Sequence, residues 1–379
     1  MTTLDPADLV EAPAVVEAPA VVEAPAVVAT PAATPTPVID STEAPPPPAV
    51  VTAQNENIEA DTNSNADEFS DFGDAASETT SLGSSVLNYQ YENGRRYHAY
   101  RAGQYLLPND ETEQERLDMV HHLFTLTLKG ELCATGKLDN PQNILDLGTG
   151  TGIWAIDMGD EYPSAKVIGT DLSPIQPSWL PPNVLFEVDD ATQDWTFPEN
   201  HFDFIHARTI GSGIRDWPSL LARCYKHIKP GGKIEISEGR ANFYCDDGTM
   251  KEDSQTAKWL REFHRIGESI GMKLDFIEDI PPLLTEAGFE DAELTDRVVP
   301  VGSWPKDKAL KRIGAVFRLQ FLESGLEAYT AALFTRNGWS DVETQVVLAH
   351  VRQELMSNKM HLYTYTSFAT ATKPLTASA

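Results

Sequence analysis

The sequence predicts an α/β fold with a mostly parallel sheet of seven strands and helices on both faces. Between residues 143 and 237, short apolar runs alternate with helical patterns, as in parallel strands joined by crossover helices. A glycine-rich loop follows the first of these strands. Acidic residues follow the next two strands, at the end of the sheet where ligands bind in this class of fold.

The first part of the chain differs in composition from the rest. Residues 1–94 hold 16 acidic residues and no Lys or Arg, and the hexapeptide Glu-Ala-Pro-Ala-Val-Val occurs three times between residues 11 and 28. Proline blocks helix formation, and a chain with few large apolar side chains cannot offset the entropy of ordering. We therefore expect residues 1–85 to be a disordered acidic tail, serving either solubility or partner binding, and residues 86–379 to fold.

Charge and composition exclude several classes of protein. The net charge of −28 opposes direct binding of nucleic acid and of anionic membranes. Three widely spaced cysteines suggest a reducing compartment and no disulfide framework, and no metal site is expected. No apolar run reaches the roughly 18 residues of a membrane span, and no Lys or Arg precedes Arg95, so we expect no signal peptide. These observations predict a cytoplasmic or nuclear location.

The predicted elements begin with a helix over residues 110–128. Asp110 is its expected N-cap, and apolar residues recur with helical spacing at Leu117, Val120 and Phe124. The alternating region follows, with apolar runs of strand length and two predicted helices between them. One helix begins at Ile153, and the other spans residues 218–228. The predicted strands are residues 144–147, 166–170, 184–188, 202–207 and 233–236.

The last third of the chain completes the sheet. Helical apolar spacing predicts helices over residues 252–271, 306–325 and 341–356, which we expect to form a cap. Apolar and β-branched residues predict strands over 294–301 and 362–370. These two strands are expected to be an antiparallel pair.

The loop after the first alternating strand has the spacing Asp146-x-Gly148-x-Gly150-x-Gly152. A phosphate-binding P-loop requires Gly-Lys-Ser/Thr at the helix start, but Ile153 follows Gly152. The dinucleotide pattern requires a glycine five residues after the first, and that position is again Ile153, so a nicotinamide enzyme fits only with relaxed spacing. The observed spacing is that of S-adenosylmethionine methyltransferases.

The flanking acids support a nucleoside ligand. Asp171, followed by Leu172, ends the second strand and is placed to accept hydrogen bonds from ribose hydroxyls. Asp190 and Ala191 end the third strand, where an acid and a small residue suit an adenine amino group. Asp146 is either a direct ligand or a carboxylate that orients the loop.

Three stretches carry a resemblance to a known family: residues 91–111, the glycine loop through residue 158, and residues 169–183. The segment from residue 91 to about residue 238 resembles the fungal LaeA-like methyltransferases of the class I, Rossmann-like superfamily. The resemblance implies S-adenosylmethionine as cofactor and a methyltransferase domain over residues 86–379. Its expected parts are lid helices over 86–140, a cofactor-binding core over 141–240, and a cap with the remaining strands over 241–379.

The resemblance also implies a role in secondary metabolism and leaves the methyl acceptor open. Members either methylate pathway intermediates or regulate the pathway, sometimes beside velvet-domain partners in the nucleus. A small-molecule acceptor predicts a closed cleft lined by C-terminal residues, for which the candidates are Trp259, Phe263, Tyr329 and Phe334. The alternative is a protein acceptor, or a regulatory protein that acts mainly through partners.

Further candidates lie near the expected methyl group. His206 ends the fourth strand and is either a general base or a residue lining the cofactor pocket. Arg208 is suited to hold a carboxylate of cofactor or acceptor, or to pair with a nearby acid. Tyr105, with Tyr97 and His98, belongs to a segment that either covers the cofactor or packs under the sheet edge.

Overall fold

The structure, a computed structural model, describes residues 89–98 and 106–375, so the predicted tail and Tyr105 lie outside the described residues. The described chain opens with a hairpin of β1 (Gln90–Glu92) and β2 (Arg95–Tyr97). Asn93 and Gly94 at its turn both have positive φ, which matches the twist of a tight hairpin. The sequence predicts helices over residues 86–140. In the described part of this range, the chain forms this hairpin and one helix, α1 (Glu111–Thr127).

A single seven-stranded sheet forms the centre of the domain. Its strands in chain order are β3 (Asn143–Leu147), β4 (Lys166–Asp171), β5 (Val184–Val188), β6 (Phe202–Arg208), β7 (Ile228–Gly239), β8 (Glu290–Pro300) and β9 (Tyr363–Thr372). Their order across the sheet is β5-β4-β3-β6-β7-β9-β8. Strands β3 to β7 are parallel, and β9 is antiparallel to both of its neighbours. The predicted fold class and the antiparallel pair are confirmed.

Helices cover both faces of this sheet because the strand side chains alternate between two cores. Ile144 and Phe204 pack with α2 (Ile153–Glu161) on one face. Their neighbours Leu145 and Ile205 pack on the other face with α3 (Trp217–His227) and α5 (Ile280–Glu286). Successive side chains of a strand point to opposite faces, so a strand that is buried on both faces needs apolar residues at consecutive positions.

The remaining helices form a separate core beside the sheet. They are α4 (Gln255–Ser269), α6 (Lys308–Gln320), α7 (Leu326–Thr335) and α8 (Asp341–Met356), which pack around Phe243 and Val299. The predicted helix over 306–325 is interrupted, since a π-helical turn over Phe321–Gly325 follows α6 and leads into α7. No helix within the described ranges is long and apolar enough to cross a membrane.

Candidate active site

The loop between β3 and α2 turns sharply at three glycines. Gly148, Gly150 and Gly152 have φ values of 65°, 60° and 81°, a region that side-chain-bearing residues rarely adopt. The Gly150 N–H donates a hydrogen bond of 2.9 Å to Oδ2 of Asp171. The loop is therefore fastened to the carboxyl end of the neighbouring strand β4.

The three glycines have different surroundings. Gly148 and Gly150 line a cleft above the sheet. Gly152 does not line this cleft. It packs against the ring of Phe186, with which a Cβ at this position would collide. Glycine at position 152 thus serves the packing of the loop against β5.

Asp171 and Leu172 face the same cleft. Oδ1 of Asp171 accepts a 2.9 Å hydrogen bond from the Ser173 N–H, while Oδ2 accepts from Gly150. Burial raises the pKa of Asp171 to about 6, and these backbone donors oppose the rise. Each carboxylate oxygen has a second lone pair, so Asp171 retains the capacity to accept two more hydrogen bonds.

Asp190 and Ala191 follow β5 and border the cleft from the other side. Oδ1 of Asp190 accepts hydrogen bonds from the N–H and the hydroxyl of Thr192, at 2.9 and 2.6 Å. The fold therefore brings most of the predicted cofactor residues to one cleft with about 890 Å³ of empty space. They are Gly148, Gly150, Asp171, Leu172, Asp190, Ala191 and Arg208.

Asp146 and His206 lie beneath the glycine loop and do not line the cleft. Oδ1 of Asp146 is 2.7 Å from Nδ1 of His206, and Oδ2 accepts a 2.6 Å hydrogen bond from the hydroxyl of Thr149. The His206 ring stacks on Trp154 at 3.7 Å between centroids and is 1% exposed. Both residues border only a small recess between the loop and α1. This geometry favours an orienting role for Asp146 and keeps the imidazole of His206 out of the cleft.

Arg208 lines both the cleft and the recess. One of its Nη atoms lies 3.1 Å from Nδ1 of His121, and its guanidinium lies over the ring of Phe124. Nε2 of His121 is in turn 2.9 Å from the carboxylate of Asp157, an arrangement that the sequence does not suggest. No described carboxylate forms an ion pair with Arg208, so this cation keeps donors for a ligand.

A second cavity, with about 1150 Å³ of empty space, adjoins the cleft. Trp259, Phe263 and Tyr329 line it as the small-molecule hypothesis predicts. Phe334 does not line it; this residue is fully buried against Trp339. Six further aromatic residues line it: Phe124, Phe243, Phe276, Phe317, Phe321 and Tyr365.

Leu107 and Thr209 line both the cleft and this second cavity, which we call the aromatic cavity. Thr209 has a φ of 55°, a strained conformation for a β-branched residue. Its N–H donates to the carbonyl oxygen of Ser237, 2.9 Å away, which holds the turn in place. Strain of this kind clusters at functional sites, and here it lies where the two cavities meet.

Glu238 is a site residue that the motifs do not single out. It lies near the end of β7, and its carboxyl group lines the aromatic cavity. Oε1 accepts a 2.8 Å hydrogen bond from the Gly211 N–H, and burial raises the pKa of Glu238 to about 8. An acid at a strand end is the signal that identifies Asp171, and the same signal points to Glu238.

The aromatic segment before β3 is described only in part. His98 lines the cleft, whereas Tyr97 is buried in the helical core with the Arg336 guanidinium over its ring.

Within residues 89–98 and 106–375, no group of three His, Cys, Asp or Glu residues is arranged to hold a metal ion.

The strand order and the cleft at the carboxyl ends of the parallel strands are those of a class I methyltransferase. Residues 116–294 match the family model described as a methyltransferase domain. Methyltransferase pytC of Aspergillus terreus is 46% identical over 290 residues, covering 76% of this chain and 89% of that protein. The secondary metabolism regulator LAE1 of Cochliobolus heterostrophus is 39% identical, covering 76% of this chain and 95% of that protein.

A further relative is the protein-methionine methyltransferase laeA of Emericella nidulans. It is 32% identical over 299 residues, covering 76% of this chain and 77% of that protein. The chain belongs to the LaeA-like family of S-adenosylmethionine-dependent methyltransferases, which is linked to fungal secondary metabolism.

Glu238→Gln should change the dependence of stability on pH. Because burial raises the pKa of Glu238 from 4.5 to about 8, the folded protein keeps this proton in a window where the unfolded chain loses it. Wild type therefore loses stability relative to the variant as pH rises through this window. Urea unfolding at about pH 5 and about pH 8.5 measures the difference. Glu293→Gln, at an exposed site on β8, is the control, and a pH-independent difference for Glu238→Gln would contradict the assignment.

Proposed function

We propose that S-adenosylmethionine binds in the cleft with its ribose at Asp171 and its adenine beside Asp190 and Ala191. Gly148 and Gly150 leave room for the cofactor to approach the backbone, and Leu172 contacts the nucleoside. The two unused lone pairs on Asp171 support this placement, since adjacent ribose hydroxyls present two donors to one carboxylate. In this proposal Gly152 and Asp146 shape the loop and do not touch the cofactor.

We further propose that Arg208 binds the carboxylate of the cofactor's methionine part. The guanidinium is held by His121 and Phe124 and has no described carboxylate partner. A half-buried cation is favoured when a ligand supplies the missing charge. The covering role of Tyr105 stays a prediction.

The acceptor is, in this proposal, a small molecule of secondary metabolism bound in the aromatic cavity. The observation that carries this proposal is the meeting of cleft and cavity at Leu107 and Thr209. Methyl transfer requires an in-line approach of the acceptor to the sulfonium, with water excluded. A cavity walled by nine aromatic residues excludes water and suits a small molecule better than a protein side chain.

The second candidate function is regulation through a protein partner or a protein acceptor, in the cytoplasm or the nucleus. It is supported by the relative LAE1, a secondary metabolism regulator, and by the strongly acidic composition of residues 1–94. The two candidates differ in where the methyl group goes.

Incubation of the full chain with methyl-labelled S-adenosylmethionine and an extract of fungal mycelium separates the candidates. After ultrafiltration, we expect the label in the small-molecule fraction. Gly150→Val is the control variant and should not bind the cofactor. It adds a branched side chain beside the cleft, at a residue whose φ is 60°. Label confined to proteins would contradict the small-molecule proposal.

Asp171→Ala should weaken S-adenosylmethionine binding by about 1.5–3 kcal/mol, the size of a hydrogen bond to a charged group. Isothermal titration calorimetry measures the affinity. Asp160→Ala removes an exposed acid from α2 and should leave the affinity unchanged. Equal affinity for Asp171→Ala and wild type would show that the ribose lies elsewhere.

His206→Asn separates an orienting role from catalysis. Because the imidazole bonds Asp146 under the loop, we expect weaker cofactor binding and nearly normal turnover of the bound complex. The label assay at saturating cofactor measures turnover, and calorimetry measures binding. A general base would give the opposite result: normal affinity with turnover slowed about 10²–10⁴-fold.

A further inference from the structure

The aromatic cavity contains polar atoms without partners inside the protein. Gln320 is 3% exposed, and its Oε1 finds no hydrogen-bond donor in the described part of the chain. Oγ of Ser212 is a second such atom, and both residues line the cavity. Buried polar atoms of this kind are costly, and a polar ligand would satisfy them.

A π turn follows Gln320 in the wall of the cavity. It begins at Phe321, directly after Gln320 ends α6, and these consecutive residues both line the cavity. In a regular α-helix, consecutive side chains point about 100° apart. Such turns are frequent at functional sites.

Glu238 is the acidic group in the same wall, and no described cation pairs with it. Arg240 is held by Asp275 and Glu278, and Lys273 is held by Asp279. The hydroxyl of Tyr329 accepts a 2.9 Å hydrogen bond from Arg116. The other titratable group that lines the cavity is Tyr365. The carboxyl group is therefore available to a ligand.

We propose that the aromatic cavity binds a flat, largely apolar acceptor that carries a hydroxyl group, and that Glu238 is the general base that removes the hydroxyl proton. The proposal rests on the proposed binding of the cofactor in the adjoining cleft. The acceptor oxygen forms a bond to the methyl carbon while the carbon–sulfur bond breaks. That electron pair stays on sulfur, giving the neutral thioether, and the hydroxyl proton moves to the Glu238 carboxylate.

The position of Glu238 supports this role. Its Oε1 is held by the N–H of Gly211, two residues after Thr209, where cleft and cavity meet. The carboxyl group is thus fixed beside the opening through which the methyl group must pass. A thioether acceptor, such as methionine, has no proton to lose and would need no base there.

The test uses 2-naphthol as a flat hydroxyl probe and 2-methoxynaphthalene as its matched partner without the hydroxyl. Quenching of tryptophan fluorescence reports their binding to the full chain, because Trp259 lines the cavity. We expect wild type and Glu293→Gln to bind the naphthol about tenfold or more tightly than the ether. Glu238→Leu, which leaves no hydrogen-bond acceptor at this position, should lose this preference. Failure of the naphthol to bind, or a preference that survives in Glu238→Leu, would overturn the proposal.

Methyl transfer to 2-naphthol, followed by mass spectrometry of the methyl ether, tests the base. Burial raises the pKa of Glu238 to about 8, so the wild-type rate should rise between about pH 6 and pH 9 as the carboxylate ionises. Glu238→Gln should be about 10²–10⁴-fold slower at the upper pH. Equal rates in the two proteins would overturn the role of Glu238.

Calorimetry with S-adenosylmethionine alone keeps the two proposals separate. We expect wild type and Glu238→Gln to bind the cofactor with the same affinity, because Glu238 does not line the cleft. Loss of cofactor binding by Asp160→Ala, with Asp171→Ala unaffected, would reject the cofactor site and not the acceptor cavity.

Discussion

Two carboxylates at the ends of adjacent strands hold the glycine loop in shape, and both cavities depend on them. Asp146 binds the Thr149 hydroxyl from beneath the loop, and Asp171 binds the Gly150 N–H from the side of β4. Asp146 is 3% exposed, and burial of its charge is tolerated because each of its oxygens has a polar partner. The loop can then leave Gly148 and Gly150 open toward the cleft.

The same network links the loop to the acceptor side. Asp146 lies opposite His206 in the sheet and bonds its ring, which fixes the register between β3 and the end of β6. Three residues beyond His206, the strained Thr209 turns the chain between the two cavities. The following turn brings the Gly211 N–H to Glu238 on β7. The glycine loop beside the cleft is therefore connected, through β6 and Thr209, to the wall of the aromatic cavity.

Local patterns in the sequence predict the sheet and most of the cleft, because apolar runs define strands and acids at strand ends face the cleft. Asp171 and Asp190 follow this rule after β4 and β5, and Glu238, near the end of β7, lines the adjoining aromatic cavity. Contacts between distant residues follow no local pattern. The Asp146–His206 bond joins residues 60 positions apart and favours an orienting role for His206 over that of a base. Gln320, which lines the cavity, is followed by a π turn that helical spacing over 306–325 does not reveal.

We propose one continuous site that binds the cofactor in the cleft and directs its methyl group toward the aromatic cavity. A crystal structure with S-adenosylhomocysteine tests it most directly. We predict ribose hydroxyls within hydrogen-bond distance of Asp171, adenine beside Asp190, and the thioether sulfur at Thr209 on the side of Glu238. A nucleoside bound away from Asp171, or a sulfur separated from the aromatic cavity by the chain at Thr209, would contradict the claim.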